Sequence, residues 1–277
     1  MEWHVIPAGQ VWVDPGGPFG LVPKALWQRT LQPNDEGLVP MHLNCLLVYS
    51  EGKTILIDNG LGDKLDDKAR RNWNLSFPQG TLLENLAEHG VQPEDVDIML
   101  DTHLHSDHCG GNTRIADGKA APTFPNAEYV VQRVEWAGAM HPDARTQGTY
   151  LPENYRPVWE AGQFRFLHGD TDITGEVRCV VARGHTRGHQ CVILETGDGP
   201  ALYVADLATF AVHMARGAWV TAYDVEPLEN IATKQRWQRW ALDNDATLIF
   251  EHDTQIPLGK LKKDEEGKLS VEPLARP

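Results

Sequence analysis

Short apolar runs, separated by glycine, proline and polar turns, recur along this chain. Runs of this kind that end at turn residues are typical of β-strands, especially strands buried on both faces. The runs 43–49 and 54–57 are joined at Glu51-Gly52, which predicts a β-hairpin at that point. The predicted strands are residues 11–13, 43–49, 54–57, 96–100, 128–132, 176–182, 190–195, 201–205 and 247–250.

Apolar residues at helical spacing occur in fewer places. Residues 81–89 carry leucines on one helical face and stop at Gly90, a residue that commonly ends helices. Residues 227–242 start with proline in the first turn and form the clearest predicted helix. Residues 65–73 predict a short, charged and exposed helix. Strands in two batches with a few helices predict two packed sheets with helices outside them.

No composition shift marks a linker, so residues 1–277 are predicted to form a single domain. Residues 1–40 are rich in glycine and proline and are expected to form an N-terminal wrap or a lid. The stretch 133–160 is not assigned; its aromatic residues either wall a pocket or pack at the surface. The tail after Gly259 is charged and expected to be exposed.

The composition narrows the possible partners. The formal net charge is −14, from 25 Lys and Arg against 39 Asp and Glu, and such a surface repels nucleic acid. No apolar run approaches the roughly 20 residues of a membrane span, and the N-terminus leads into no signal-type apolar core. We therefore expect a cytoplasmic protein without membrane association. The four cysteines form no C-x-x-C pair and are expected to be buried free thiols.

The densest polar cluster of the chain follows the predicted strand 96–100. His103, His105, Asp107 and His108 lie within six residues and precede two glycines. An extended backbone places His103 and His105 on one face, and a following turn lets Asp107 and His108 point elsewhere. Imidazole and carboxylate groups are common ligands of Zn²⁺ and similar ions. The alternative is a polar loop whose histidines are satisfied by hydrogen bonds.

Three later strand ends offer further candidate ligands. His185 and His189 follow one predicted strand, in a segment whose glycines favour a loop, so one of the two is expected to be a ligand. Asp206 follows another strand, and His252 follows the last one. A polar residue at one strand end is more often structural, but four strand ends that deliver such residues point jointly to a metal site.

These positions resemble the metallo-β-lactamase superfamily. The resemblance covers residues 43–252 and implies an α/β fold: a four-layer αβ/βα sandwich of two mixed β-sheets flanked by helices. It also implies a dinuclear site at one edge of the sheets. The ligands it implies are His103, His105 and His185 for the first metal, Asp107, His108 and His252 for the second, and Asp206 as a bridge between them.

The branch of the superfamily is narrowed by individual residues. Antibiotic-degrading β-lactamases of this fold lack a bridging carboxylate such as Asp206, and the charge disfavours nucleic-acid-processing members. Residues 124–127, residues 161–172 and Asp206-Leu207 look like the methyl-parathion-hydrolase-type branch, which is close to the acyl-homoserine lactonases. Those lactonases typically carry a tyrosine three residues after the bridging aspartate, where this chain has Thr209. A thioesterase of the glyoxalase II type is an alternative, although its C-terminal helical domain has no counterpart after His252.

The function that the resemblance implies is a dinuclear-metal-dependent hydrolase acting on an ester-type bond of a small molecule: a lactone, a carboxylic ester or a phosphotriester. A hydroxide shared by two metals about 3.5–4 Å apart is the expected nucleophile. Asp107 is expected to accept and relay the proton. Zn²⁺ is the favoured metal, and Mn, Fe and Co are alternatives.

Two other classes are weighed against this function. A di-iron redox protein of the same fold usually replaces a histidine of the first cluster by a carboxylate, and this chain keeps the histidines. A non-catalytic binding module would not need every ligand position to be filled. The nine tryptophans leave room for an apolar homodimer face.

Overall fold

The computed structural model describes residues 1–275, which form fifteen strands and nine α-helices. The strands are β1 (Glu2–Val13), β2 (Val39–Ser50), β3 (Lys53–Ile57), β4 (Ile98–Leu100), β5 (Thr113–Ala116), β6 (Lys119–Pro122), β7 (Glu128–Gln132), β8 (Phe164–Leu167), β9 (Thr171–Asp172), β10 (Val177–Val181), β11 (Gln190–Thr196), β12 (Gly199–Tyr203), β13 (Thr247–Ile249), β14 (Leu258–Lys263) and β15 (Leu269–Pro273).

The helices are short, apart from the last one. They are α1 (Gly16–Phe19), α2 (Lys24–Trp27), α3 (Asp67–Trp73), α4 (Leu82–Glu88), α5 (Ser106–Cys109), α6 (Arg133–Met140), α7 (Arg156–Glu160), α8 (Ala211–Ala215) and α9 (Pro227–Asp243). Among the described residues, no helix has the length and apolar character needed to cross a lipid bilayer.

The strands build two mixed sheets. The first has the order β1-β2-β3-β4-β7-β8, in which β3, β4, β7 and β8 run parallel. The second has the order β15-β14-β13-β12-β11-β10-β9, with one parallel pair, β12 and β13. The small hairpin β5-β6 stands apart from both.

Three apolar layers show how the sheets and helices stack. Alternate residues of β2 face opposite sides, so that Leu46 and Val48 enter the core between the sheets while Leu47 enters the outer core beneath α4. On the other side, Trp237 of α9 packs with Leu202 of β12 in the outer core of the second sheet. The predicted αβ/βα sandwich of two mixed sheets is therefore confirmed.

Several predicted elements match closely. The hairpin forms with Ser50 opposite Lys53, and Glu51 and Gly52 occupy its tight turn with positive φ angles of 50° and 74°. The predicted helix at 81–89 is α4, whose N-cap Thr81 and Glu84 form a capping box.

The two ends of the chain add strands that the sequence analysis did not predict in full. In the segment 1–40, β1 pairs with β2 along almost its whole length, and residues 14–38 lie outside the sheet with α1 and α2. The role of residues 1–40 as a wrap or lid stays a prediction. The charged tail after Gly259 is mostly exposed, as expected, but it also forms β14 and β15, and the buried Leu258 and Leu261 hold β14 against its neighbours. In β15, Leu269 and Val271 alternate with Ser270 and Glu272, a strand signal that the sequence analysis did not use. The single-domain organisation stays a prediction.

Candidate metal centre

The side chains predicted as ligands meet at one edge of the sandwich. The carboxyl ends of the parallel strands β3 and β4 lie at this edge of the first sheet, and those of β12 and β13 lie at it in the second. In chain order, His103 and His105 follow β4, Asp107 and His108 lie in α5, His185 lies between β10 and β11, Asp206 follows β12 and His252 follows β13. Asp107 is half-buried and the other six are buried.

The first group of candidate ligands consists of His103, His105, His185 and Asp206. One ligand atom from each lies within 4.8 Å of the others. Nε2 of His185 lies 3.0 Å from Oδ2 of Asp206 and 3.0 Å from Nδ1 of His105. Three imidazoles and one carboxylate form a nitrogen and oxygen donor set that suits a first-row divalent cation.

The second group consists of Asp107, His108 and His252, again with ligand atoms within 4.8 Å of one another. Nε2 of His252 lies 3.3 Å from Nε2 of His108 and 3.9 Å from Oδ2 of Asp107. The grouping matches the division that the superfamily resemblance implies. The role of these side chains as metal ligands stays a prediction.

Asp206 is the side chain that reaches both groups. Its Oδ2 lies 3.0 Å from Nε2 of His185, in the first group, and 3.4 Å from Nε2 of His108, in the second. Its other oxygen, Oδ1, lies 3.2 Å from Nε2 of His252. One carboxylate is therefore within ligand range of two separate sets of donors.

The candidate ligand atoms do not satisfy one another completely by hydrogen bonds, which is consistent with bound cations. Nε2 of His103 is buried and has no hydrogen-bond partner among the described residues. Buried polar atoms without partners are costly, and they are rare in folded proteins. A divalent cation at this edge would satisfy this atom.

The electrostatics of the site follow from histidines that surround one buried carboxylate. Burial works against the charged form of Asp206, but His185 and His252 outweigh it and hold the pKa of Asp206 well below its ordinary value. Burial by itself would lower the pKa of His185, but Asp206 and Asp224 raise it to about 10. In the same way Asp206 and Glu251 overcome burial and raise the pKa of His252 to about 9.

The other two histidines of the first group behave differently. Burial and the neighbouring imidazoles lower the pKa values of His103 and His105 well below the ordinary range. Both are therefore neutral at physiological pH, which is the form that binds a metal.

A layer of carboxylates behind the histidines was missed by the sequence analysis. Nδ1 of His108 lies 2.9 Å from Oε2 of Glu251 and 3.1 Å from Oδ2 of Asp58, and Nδ1 of His185 lies 3.0 Å from Oδ1 of Asp224. Donation from Nδ1 to a carboxylate fixes the ring and leaves Nε2 free for a metal.

Asp58 could have been found from the sequence, because it directly follows the predicted strand 54–57, which is β3. In the structure its φ angle is +54°, a strained conformation of the kind common at functional sites. Asp58, His108 and Glu251 could also hold a cation by distance, but their separations of 2.9 and 3.1 Å are those of ordinary hydrogen bonds. Asp224 lies in an irregular loop, and no pattern of apolar and polar residues in the sequence indicates its role.

A second missed feature is the buried carboxylate of Glu135 in α6. Its Oε1 accepts hydrogen bonds from the backbone N–H of Leu104 at 3.1 Å and from the hydroxyl of Tyr150 at 2.8 Å, and Oε2 accepts from the hydroxyl of Thr186 at 2.5 Å. Leu104 separates two candidate ligands, and Thr186 follows His185. The carboxylate therefore joins the two loops that carry the first group.

Two residues beside the cluster are not in the groups of candidate ligands. His189, the alternative to His185, donates from Nδ1 to the carbonyl of Ala182 at 3.0 Å and accepts at Nε2 from the N–H of Asp206 at 3.1 Å, so it fixes the loop. Cys109 is a buried free thiol whose pKa is raised by burial. All four cysteines are buried and free, as predicted.

The glycines after the cluster are needed for close packing. A Cβ atom on Gly110 would lie 2.4 Å from the carbonyl oxygen of Leu61, and one on Gly111 would lie 2.6 Å from that of Asn59. Gly110 itself has an ordinary helical φ angle of −60°. Its role is to let α5 approach the segment that follows β3.

A cavity of about 290 Å³ opens beside the first group. Its lining includes Tyr150, whose ring centroid is 5.1 Å from that of His105, and Thr186, which follows His185. His141 also lines it, whereas Trp159 is 51% exposed and lies elsewhere. Part of the unassigned stretch 133–160 thus walls a pocket and part packs at the surface.

Comparisons with known proteins agree with this geometry. Residues 39–252 match the family described as the metallo-beta-lactamase superfamily. An N-acyl homoserine lactonase from a Bacillus species is 25% identical over 268 residues, which cover 92% of this chain and 94% of that protein. The N-acyl homoserine lactonase AttM of Rhizobium radiobacter is 26% identical over 225 residues, which cover 75% of this chain and 80% of AttM.

Solved structures give the same fold. A probable metal-dependent hydrolase from Staphylococcus aureus is 26% identical, with a TM-score of 0.90, over 100% of this chain and 96% of that one. AidC, a dizinc quorum-quenching lactonase in complex with a product, is 21% identical, with a TM-score of 0.78, over 99% and 94% of the two chains. At 21% identity the likeness to AidC shows the fold alone.

Proposed function

This chain belongs to the metallo-beta-lactamase superfamily, and we propose that it is a dinuclear hydrolase that opens a lactone or cleaves a related ester of a small molecule. Membership makes it a metal-dependent hydrolase. The number of metals, the ligands and the substrate class are what we propose.

The observation that carries the proposal is the position of the Asp206 carboxylate between two sets of donors. His103, His105 and His185 would hold one cation, and Asp107, His108 and His252 would hold the other. Asp206 would bind both, because its two oxygens lie within 3.4 Å of donors in each set. The hydrogen bonds from His108 and His185 to carboxylates support this arrangement, since they orient Nε2 inward.

Zinc is the metal that we propose for both positions. Neutral imidazoles and carboxylates in a closed cluster suit it, and AidC, which shares the fold, is described as a dizinc enzyme. When bound, such a cation pair lowers the pKa of a shared water toward neutrality and polarises the substrate oxygen.

The chain's own groups would complete the reaction. Asp107 is the most exposed of the seven candidate ligands, and its carboxylate makes no hydrogen bond to another described residue. A free Oδ atom can accept the proton of the attacking water and deliver it to the leaving alkoxide oxygen. The cavity lined by Tyr150 and Thr186 lies beside the first group, and it would take the larger portion of the substrate.

Lactones are the first substrate class to test because both relatives compared above are named N-acyl homoserine lactonases. The position of the lactonase tyrosine is Thr209, which is buried and offers no phenol. A lactone would therefore have to be oriented by other groups, and aryl esters and phosphotriesters remain in the tested set.

The experiment is a substrate panel run on one preparation in three states: as purified, after chelator treatment, and after zinc is restored. The panel contains an acyl homoserine lactone, a simple lactone, an aryl ester and a phosphotriester. We expect hydrolysis of at least one lactone or ester, loss of activity on chelation, and its return with zinc. Undiminished hydrolysis after complete metal removal would refute the proposal.

A further inference from the structure

A second cavity, of about 310 Å³, has a lining charge opposite to that of the whole chain. The charged and titratable residues among its described lining are Arg133, His168, Arg183 and Arg187, and no aspartate or glutamate lines it. The chain as a whole carries a formal charge of −14. Three arginines around one hollow in so acidic a protein form a local positive field.

Two of these three arginines have no carboxylate partner among the described residues. Within residues 1–275, Arg133 and Arg183 make no ion pair, and the guanidinium of Arg133 lies 5.9 Å from the ring centroid of Phe166. Arg187 has a carboxylate partner, Glu226, at 3.2 Å, but its side chain is 73% exposed, so that pair is weak and screened. The cavity therefore keeps at least two guanidinium groups with unused hydrogen-bond donors.

The start of α6 adds to the same field. Gln132, Arg133 and Val134, at the N-terminus of this eight-residue helix, line the cavity. No side chain caps the helix, because the amide of Gln132 is engaged elsewhere: it donates to the carbonyl of Gly169 at 2.9 Å and accepts from the N–H of Gly169 at 3.0 Å. An uncapped helix N-terminus presents free N–H groups and a partial positive charge.

This cavity adjoins the one beside the candidate metal centre. The two share Val134 and Arg187 in their linings. Gly188 lines the cavity of about 310 Å³. It packs so tightly on α6 that a Cβ atom there would lie 2.2 Å from the backbone nitrogen of Glu135. Arg187 and Gly188 belong to the same loop as the candidate ligand His185, so the hollow lies along the loop that carries that ligand.

We propose that the basic cavity, defined by Arg133, His168, Arg183, Arg187 and the N-terminus of α6, is a subsite for an oxyanion. Its occupant is the carboxylate or phosphate group that a substrate carries away from the scissile ester. Guanidinium groups bind both anions through paired N–H donors, and helix N-terminal amides add to them. The substrate class follows: an ester or lactone with a remote acidic group. The substrate part of this inference rests on the proposed function, whereas anion binding does not.

The kinetic test compares three aryl esters that differ only at the far end of the acyl chain, which is neutral, a carboxylate or a phosphate monoester. In the parent protein we expect the acidic esters to have the lower KM. In the double variant Arg133→Gln/Arg183→Gln, KM for the acidic esters should rise about tenfold or more, while KM for the neutral ester changes less than about twofold. The matched control, Arg71→Gln/Arg239→Gln, removes two exposed arginines elsewhere and should behave like the parent. Which acidic ester has the lower KM identifies the preferred anion.

Binding separates this inference from the proposed function. Isothermal titration of inorganic phosphate into metal-loaded parent protein should show a binding event that the Arg133→Gln/Arg183→Gln variant loses and the control keeps, even if no ester is turned over. Equal phosphate binding by parent and double variant would overturn the subsite. A parent KM that is the same for neutral and acidic esters would overturn its role in substrate selection.

Discussion

Asp224 accepts a hydrogen bond from Nδ1 of His185 at 3.0 Å, and both side chains are buried. The contact leaves Nε2 of His185 turned toward Asp206, where a cation would bind. Oδ1 of Asp224 also accepts from the hydroxyl of Thr221 at 3.1 Å, so the carboxylate is itself held in place. The orientation of a candidate ligand thus depends on a loop far from it in sequence.

Replacing Asp224 should weaken metal binding without unfolding the protein. Asp224→Asn keeps the shape of the side chain but removes its charge, and the loss of such a partner typically lowers metal affinity about 10- to 100-fold. Competition with a chromophoric chelator measures the affinity. Asp172→Asn, which removes an exposed carboxylate paired with Arg178, is the control and should match the parent. Equal affinities for the Asp224 variant and the parent would contradict the assigned role.

The carboxylate of Glu135 should matter most for stability. Glu135→Ala leaves three donors without an acceptor, namely the N–H of Leu104 and the hydroxyls of Tyr150 and Thr186, and we expect a loss of about 3–5 kcal/mol. Tyr150→Phe removes one donor and should cost about 1 kcal/mol. Denaturant unfolding of the metal-free proteins measures both. Losses of similar size for the two variants would show that the carboxylate does not join the loops.

Metal binding should release protons. In the metal-free protein Asp206 raises the pKa of His185 to about 10 and that of His252 to about 9. Glu251, Asp107 and Asp206 outweigh burial and raise the pKa of His108 well above its ordinary value, so all three imidazoles are protonated near neutral pH. Each must lose its proton to bind a cation. The raised pKa values of His185 and His252 also mean that these two groups stabilise the metal-free fold below about pH 6.5, and that this contribution disappears as the pH rises through about 9–10.

Calorimetric titration with zinc near neutral pH, in two buffers of different ionisation enthalpy, measures the released protons. We expect about three per chain, one each from His108, His185 and His252, and therefore an apparent metal affinity that rises up to about a thousandfold per pH unit in this range. Binding that releases no proton, with an affinity independent of pH, would count against these histidines as ligands.

Asp107 should affect turnover more than metal content. Asp107→Asn keeps an oxygen that can bind a cation but cannot accept a proton, so kcat should fall about 10²- to 10⁴-fold while KM changes little. Metal analysis of the same sample verifies that the centre is intact. If kcat stays within about threefold of the parent, proton transfer belongs to another group.

The fold and the candidate ligands could be predicted from the sequence for a physical reason. Strands buried on both faces form continuous apolar runs, and each candidate ligand lies in a segment that follows such a run. The four strand ends therefore indicate a metal site jointly, and the superfamily resemblance adds the grouping of the ligands. The family, the fold and the hydrolase class are confirmed, whereas the individual ligands, the cytoplasmic location and a homodimer stay predictions.

The carboxylates that hold the candidate ligands in place could not be predicted from the sequence pattern. Glu135 joins Leu104, Tyr150 and Thr186 from separate parts of the chain, and no periodicity links those positions. Asp224 acts from an irregular loop. Such contacts depend on how the segments pack in three dimensions, whereas a strand-end ligand is marked by the local pattern before it.

The central claim is that the buried carboxylate of Asp206 is shared by two cations, and metal stoichiometry tests it most directly. Parent protein and Asp206→Ala are equilibrated with zinc, dialysed and analysed for bound metal per chain. We predict two zinc ions in the parent and no more than one in the variant, with retained secondary structure and loss of hydrolysis. Two zinc ions held by Asp206→Ala as tightly as by the parent would contradict the account.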